Sequence, residues 1–437
     1  MLNFKMKISE LIRTSFHQPY FVCLLAIFTC LCFYKLKEAK NTGFAKIIWV
    51  VYSLLFASSI LIFIISSIQR YYNPQVWDFG AWYLYGKVAA QGYNYYSPEH
   101  FNAVFNAIRP TMPSLDYSGF IGAAVNVGFP YPPPTILYFV PLGFFSYNTG
   151  YIIWTLFTMI FVFADVYLIY SMFFKPDKWN GLLLSGILFF IFLPTLSTIS
   201  FSQTNFLLLF YLLIIAKYPD KKFSGVILAL LVFTKPYMVI VALFFFITKK
   251  WKPIKYFILS SLLLNGLMLA LYGKEIFVSY IFDNPSHRAP ARVFSEDVNQ
   301  SLNAVLLRNN LITLAHPLSY VYIITVIILL TGCFLFFLYR KKLYDLILPT
   351  LLLIGLLIYP GTLSHYGVIL LFIIFQFFNQ EKNLGFNPHW NILIIGLFYY
   401  LTTISVFSAI CFILGIILLK ALQSFFPKLS YEQSVQH

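Results

Sequence analysis

Acidic side chains are scarce in this chain, 15 among 437 residues, and one of them stands where a carboxylate could act as a base. Asp78 lies in residues 73–86, NPQVWDFGAWYLYG, just past an apolar run that ends LIFIISSIQRYY. Trp77, Phe79, Trp82, Tyr83 and Tyr85 crowd around it. A carboxyl partly stripped of water among aromatic rings has its pKa raised, toward the working range of a general base. Flat rings such as Trp82 and Tyr83 also suit a pyranose face, and the tyrosines of GYNYYSPEHF just beyond add hydroxyls to such a wall. The plainer alternative is an interfacial aromatic belt in which Asp78 merely caps an amphipathic helix.

Four further clusters resist explanation by membrane burial. Residues 299–308, NQSLNAVLLR, preceded by NPSHRAPARVFSED, gather Asn299, Gln300, Arg288, Arg292 and Arg308 beside an apolar run. Each arginine could fork onto a phosphate, or be ordinary solvated loop charge. In LIYPGTLSHYGVILLF, residues 357–372, His365 and Tyr366 resume a helix after a Pro-Gly break. A histidine there could bind phosphate or shuttle a proton, or be a satisfied structural residue. Lys235, in LVFTKPYMVIV, has apolar residues on both sides. Such an isolated cation is either functional or the tip of a hairpin that snorkels to the interface. Gln203 and Asn205, in SFSQTNFLLLF, sit at a turn where helix capping alone would account for them.

The elements that must position these groups are membrane helices. The chain is 60% hydrophobic and 10% charged, with a mean hydropathy of +0.78; a soluble domain carries roughly 25% charged residues. Apolar runs occur at residues 19–34, 46–68, 150–173, 182–199, 204–217, 254–272, 318–339, 343–359, 366–379, 390–402 and 404–421. The expected fold is all-α and polytopic, a single integral membrane domain over residues 1–437. Roughly 10–13 transmembrane or re-entrant helices are expected, because each span needs about 20 apolar residues. Two short segments are marked by proline: residues 129–145, FPYPPPTILYFVPLGFF, and residues 223–248, interrupted at Lys235-Pro236.

The net charge of +15 comes mainly from loops such as KLKEAK, KYPDKK, KKWKPIK and YRKK between apolar runs. They follow the positive-inside rule and suit anionic headgroups, so the bilayer, not a nucleic acid, is the expected partner. With those loops inside, two larger loops, residues 69–128 and 272–312, fall on the outer side. This parity requires residues 223–248 to fold as a hairpin and, if the KPDK turn at residues 175–178 is also inside, residues 129–145 not to cross fully. The cysteines, Cys23, Cys30, Cys32, Cys333 and Cys411, all lie in apolar runs without metal-site spacing. No small-residue cleavage site follows the first apolar run, so it reads as an uncleaved span. Walker A, dinucleotide-binding, H-E-x-x-H and D-x-D patterns are missing, so no cofactor and no metal is expected.

Taken in order, DFGAWYLYGKVAAQGYNYYSP, FPYPPPTILYFVPLGFF, FSQTNFLLL, FTKPYMVIVALFFFITKKWK, NQSLNAVLLR and SHYGVILL resemble glycosyltransferase family 87 of the GT-C superfamily. The resemblance runs from about residue 70 to about residue 370. The chain departs from the family pattern at Ser202, where the G-Q-x-N turn usually has glycine. It departs again at His365-Tyr366, which lacks the paired histidines of some members. The resemblance implies a GT-C-type bundle in the plasma membrane with its active site on the extracytoplasmic side. It also implies a polyprenyl-phosphate sugar as donor and a glycan or glycolipid as acceptor. The sugar, mannose or another hexose or pentose, would be transferred with inversion and generally without metal. Asp78 would be the base, with His365 as a second catalytic group. Lys235, Arg308, Arg292 and Arg288 would bind the donor phosphate. Trp82, Tyr83, Tyr131, Gln203, Asn205, Asn299, Gln300 and Tyr366 would line the sugar and acceptor sites. Two rival classes are an oligosaccharide polymerase or ligase, which would lean on the arginine-rich loop and not need Asp78, and a flippase, which would carry internal repeats.

Overall fold

Without water to satisfy backbone amides, an apolar run must bond to itself and so becomes a helix. The computed structural model describes residues 18–38, 43–72, 77–111, 128–284, 299–312, 317–376 and 388–423. Among the described residues the only extended pairing is one antiparallel bridge, Asn299 with Leu363. Among the described residues, five stretches are long and apolar enough to cross a membrane: Pro19–Glu38, Gly43–Ile65, Tyr147–Ile191, Trp251–Tyr272 and Val321–Arg340. The chain is an all-α polytopic membrane protein.

We label the helices α1 (Pro19–Glu38), α2 (Gly43–Tyr72), α3 (Trp77–Ala90), α4 (Pro98–Ile108), α5 (Tyr147–Ile169), α6 (Lys178–Ile191), α7 (Leu193–Ser200), α8 (Asn205–Lys217) and α9 (Lys222–Thr234). The remainder are α10 (Ile240–Ile247), α11 (Trp251–Tyr272), α12 (Leu302–Arg308), α13 (Pro317–Arg340), α14 (Ile347–Ile358), α15 (Leu370–Gln376), α16 (Pro388–Ile404) and α17 (Val406–Gln423). The run at residues 182–199 is two helices, because Phe192 turns extended (ψ 119°) just before Pro194, whose ring cannot continue the preceding helix. Leu262, Leu263, Leu329 and Leu330 on α11 and α13 are widely exposed, as lipid-facing positions must be.

Residues 223–248 fold as the expected hairpin. Helix α9 ends where Lys235 goes extended (φ −146°, ψ 107°) ahead of Pro236, a residue whose ring disfavours helix before it. A short 3-10 turn, Pro236–Val239, then leads into α10. The two ends of the hairpin lie together: Lys250, after α10, pairs with Asp220, before α9, at 2.8 Å. Lys235 is therefore the tip, at the end of the bundle away from the basic loops.

Residues 129–145 also behave as parity requires. They form a 3-10 helix, Pro133–Tyr138, and one α-turn, Val140–Gly143. Those elements reach roughly 18 Å at about 2.0 and 1.5 Å per residue, against about 30 Å of hydrocarbon. Instead of crossing, the segment presses on α3 through two glycines. A Cβ on Gly86 would lie 2.2 Å from the Phe139 carbonyl oxygen, and one on Gly143 would lie 2.6 Å from the Gly86 carbonyl oxygen.

The described part of the first large loop packs as a unit with the segments around it. Phe79, Trp82, Tyr85, Tyr95, Tyr96, Phe101, Phe129, Tyr131, Phe139 and Trp154 are buried together, apart from the larger apolar core among the membrane helices. Local polar bonds shape it: Ser97 caps α4 through the His100 amide, and Ser146 caps α5 through the Thr149 amide. Asn94 Nδ2 donates to Ser279 Oγ at 2.8 Å and Asn284 Nδ2 to the Phe129 carbonyl at 2.8 Å. These bonds tie the first large loop to the start of the second, whose residues 285–298 lie outside the described set, as do residues 112–127 of the first.

Candidate active site

Helix α3 brings Asp78 to the bundle in its first turn, where a negative charge sits well with the helix dipole. The carboxylate reaches across the fold: Gln203 Nε2 donates to Asp78 Oδ2 at 2.6 Å. Asp78 is half-buried, with its carboxylate set among dense protein atoms. Burial pushes the carboxyl above the usual carboxylate range, while the Gln203 bond and the positive charge of Lys235 pull it partly back. A carboxyl raised by burial, yet held and aimed by a donated hydrogen bond, suits a base.

Gln203 owes its position to a tight turn between α7 and α8. Ser202 there has φ +53°, a left-handed conformation that glycine adopts freely and serine does not. Trp154 Nε1 donates to the Ser202 carbonyl at 2.9 Å and fixes the turn. Gln203 Oε1, Thr204 Oγ1 and Asn205 Oδ1 are buried with no hydrogen-bond partner among the described residues.

Lys235 does not snorkel. It is 1% exposed, and its ammonium donates to Tyr131 Oη at 2.6 Å and to Tyr366 Oη at 2.8 Å. Both rings also flank the charge, with centroids at 4.7 and 4.5 Å, inside cation–π range. Tyr359, Tyr237 and Tyr366 extend this wall as a stack, with centroids 4.4 Å apart for the first pair and 5.9 Å for the second. The Tyr237 hydroxyl is buried with no partner among the described residues. Trp82 continues the wall on the other side, 5.1 Å from Tyr131 and stacked on Phe139 at 5.0 Å. Its indole N–H likewise has no described partner.

His365 is buried and lies 4.8 Å from the Tyr366 ring. Its backbone carbonyl accepts from Thr198 Oγ1 and from Asn205 Nδ2, both at 3.1 Å, which holds the ring in place. Its Nε2 has no partner among the described residues. Asn205 thus spends its amino group on positioning and leaves its carbonyl free. Asp78, Gln203, Lys235, Tyr131, Tyr366, Trp82 and His365 form one connected cluster.

The second-loop residues do something else. Asn299 Nδ2 donates to the Pro360 carbonyl at 2.6 Å, and the Gln300 amide to the Thr362 carbonyl at 2.6 Å. Gln300 Oε1 accepts from Ser405 Oγ at 2.6 Å. Ser301 caps α12 through the Ala304 amide, and Arg308 Nη1 donates to the Asn299 carbonyl at 2.7 Å. This loop clasps the residue 359–363 break and the α16–α17 junction, and so sets where His365 and Tyr366 stand. Tyr83 is turned away, its hydroxyl donating to the Phe145 carbonyl at 2.9 Å. Arg288 and Arg292 lie outside the described residues. Tyr237 and Tyr359 were not anticipated; the Lys-Pro-Tyr and Tyr-Pro-Gly breaks that carry them were the available signal.

No group of three or more His, Cys, Asp or Glu stands close enough to hold a metal among the described residues. The sequence profile of glycosyltransferase family 87 matches residues 129–360, just over half of the chain. The match includes Gln203, Lys235 and the NQSL loop, while Asp78 and His365 lie outside it. No curated protein and no solved structure matches the chain.

Proposed function

This chain belongs to glycosyltransferase family 87, and on that premise we propose that it moves a sugar from a polyprenyl-phosphate donor to a glycan or glycolipid acceptor. The transfer takes place at the outer face of the plasma membrane. The observation that carries this reading is the pairing of a half-buried carboxylate, held by Gln203, with a buried lysine caged by two tyrosines. A base beside a cation is what inverting transfer from a phosphate donor requires. The acceptor hydroxyl oxygen bonds to the anomeric carbon and its proton passes to Asp78. The bond from that carbon to the phosphate oxygen breaks, and polyprenyl phosphate departs with the electron pair. Lys235, prepared in advance for negative charge, stabilises that leaving group.

Trp82, Tyr131, Tyr237 and Tyr366 provide ring faces and free hydrogen-bonding atoms for the sugar. Gln203 Oε1 and Asn205 Oδ1 are unsatisfied acceptors suited to sugar hydroxyls, and His365 Nε2 is available to the phosphate or the acceptor. Arg308, together with Arg292 and Arg288 outside the described residues, supplies further candidate cations for the donor phosphate. Asn299 and Gln300 act by holding the His365 segment. The positive-inside distribution of lysines supports an outer position for this end of the bundle.

The test is to supply the purified protein in nanodiscs with a panel of polyprenyl-phosphate pentoses and hexoses, or with the matching nucleotide sugars, plus a membrane-glycan extract. Transfer from at least one lipid-linked donor and from no nucleotide sugar is expected. Transfer from nucleotide sugars alone would overturn the donor assignment.

A further inference from the structure

A second cavity lies at the opposite end of the bundle. Helices α8, α14 and α15 and the α9–α10 hairpin each have one end at the Asp78–Lys235 cluster. Their other ends, at Lys217, Asp345, Gln376 and Lys249–Lys250, surround a cavity of about 690 Å³. Ligand sites typically measure about 300–1,000 Å³, so the space is ample for a lipid headgroup with the first part of its chains.

The lining is divided by chemistry. Met172, Phe173, Phe244 and Leu348 form an apolar wall. Across from them are three lysines from two different loops, each held differently. Lys250 is neutralised by Asp220. Lys217 donates to the neutral Ser171 hydroxyl at 2.7 Å, and Lys249 lies 5.9 Å from the Tyr339 ring. Neither of these last two has an acidic partner among the described residues. Three lysines against Asp345 and Asp220 leave one net positive charge. Gln376 Oε1, also in the lining, is buried with no hydrogen-bond partner among the described residues. A cationic rim over an apolar wall, at the end where the basic loops meet the bilayer, fits a phosphate diester carried on acyl chains.

We propose that this cavity binds the headgroup phosphate of an anionic glycerophospholipid, with Lys217 and Lys249 as its cationic contacts. The site is remote from the transfer chemistry and independent of which sugar is moved. Phosphate chemistry could equally come from a soluble ester, and the experiment separates the two sources.

Native mass spectrometry of the full chain in detergent is titrated with phosphatidylglycerol, with phosphatidylcholine, and with phosphatidylglycerol against excess glycerol phosphate. Wild type is expected to retain phosphatidylglycerol in preference to phosphatidylcholine. Each lysine near such a surface is worth about fivefold in affinity, so Lys217→Gln and Lys249→Gln each lower retention about that much, and the double variant about 25-fold. An unchanged preference in the double variant overturns the proposal. So does full displacement by glycerol phosphate, which would make the cavity a soluble-anion site. A wild-type-only measurement guards against a variant that fails to fold: a photoreactive phosphatidylglycerol should label peptides containing residues 171–173, 216–219 or 248–250. Labelling confined to other peptides overturns the assignment.

Discussion

Replacing Gln203 with methionine should move the acid limb of the pH–rate profile upward. The donated bond to Asp78 Oδ2 is 2.6 Å long and goes to a group that is charged in its working state. Hydrogen bonds to charged groups are worth about 1.5–3 kcal/mol, and one pKa unit corresponds to about 1.36 kcal/mol. Losing this bond should therefore raise the Asp78 pKa by about 1–2 units, on top of the upward push from burial. The sign follows from which form is stabilised: Gln203 donates to the carboxylate, so its removal favours the protonated acid. The base is then silenced at a higher pH; the plateau rate also falls because the Gln203 Oε1 acceptor for the sugar is gone, so the position of the limb, not its height, is the readout. Methionine keeps the length of the side chain, and the Gln203 backbone bond to the Thr198 carbonyl is untouched. Initial rates of sugar transfer across pH measure the limb. Infrared titration of the protonated carboxyl, with Asp78→Asn as the blank, measures the same group without any donor. A limb that stays put, or moves down, would refute the view that Gln203 tunes this carboxylate.

Three further outcomes follow from the same geometry. Lys235→Met should lower kcat/KM about 10²–10³-fold, as loss of one transition-state charge donor does, and Lys235→Arg should not restore it, because the two tyrosine hydroxyls fit a compact ammonium; steady-state transfer kinetics decide. Ser202→Gly should raise thermal stability by roughly 1 kcal/mol, the left-handed penalty of about 1–2 kcal/mol less the entropy cost of glycine, as read from the melting temperature in detergent. Gly86→Ala should destabilise by at least about 1–3 kcal/mol, since its Cβ would lie 2.2 Å from the Phe139 oxygen. The loss would show in the yield of monodisperse protein and in the melting temperature.

Much of the architecture was legible because bilayers impose simple rules on sequence. The Lys235-Pro236 break and the basic residues on either side of residues 223–248 sufficed to predict the hairpin, and the prolines of residues 129–145 marked a segment too broken to cross. Asp78 stood out because acids are rare and aromatic neighbours are costly company for a charge. What could not be read were partnerships over long separations. Gln203 meets Asp78 from 125 residues away, and Tyr131 and Tyr366 meet Lys235 from 104 and 131 residues away; nothing local in any of these segments encodes those bonds. Polarity also could not distinguish binding from bracing. Asn299 and Gln300 look like ligand-binding residues in a polar loop, yet the Asn299 side chain and the Gln300 amide brace the residue 359–363 break, and the Gln300 side chain holds the α16–α17 junction. Tyr83 and Trp82 are adjacent on α3, yet one is bonded to Phe145 and the other enters the aromatic wall, a difference set by helix rotation.

The most direct test of the account is sugar transfer by Asp78→Asn beside wild type, with EDTA present and the melting temperature recorded for both. The carboxyl of Asp78 is raised by burial, so its ionisation opposes folding, and the stability of the protonated form is lost as pH rises through the folded pKa. Asparagine removes that cost. The account predicts that wild type transfers in EDTA, while Asp78→Asn has lost about 100-fold or more of the rate, in keeping with removal of a general base, and melts no lower. Transfer by the mutant at the wild-type rate would contradict it.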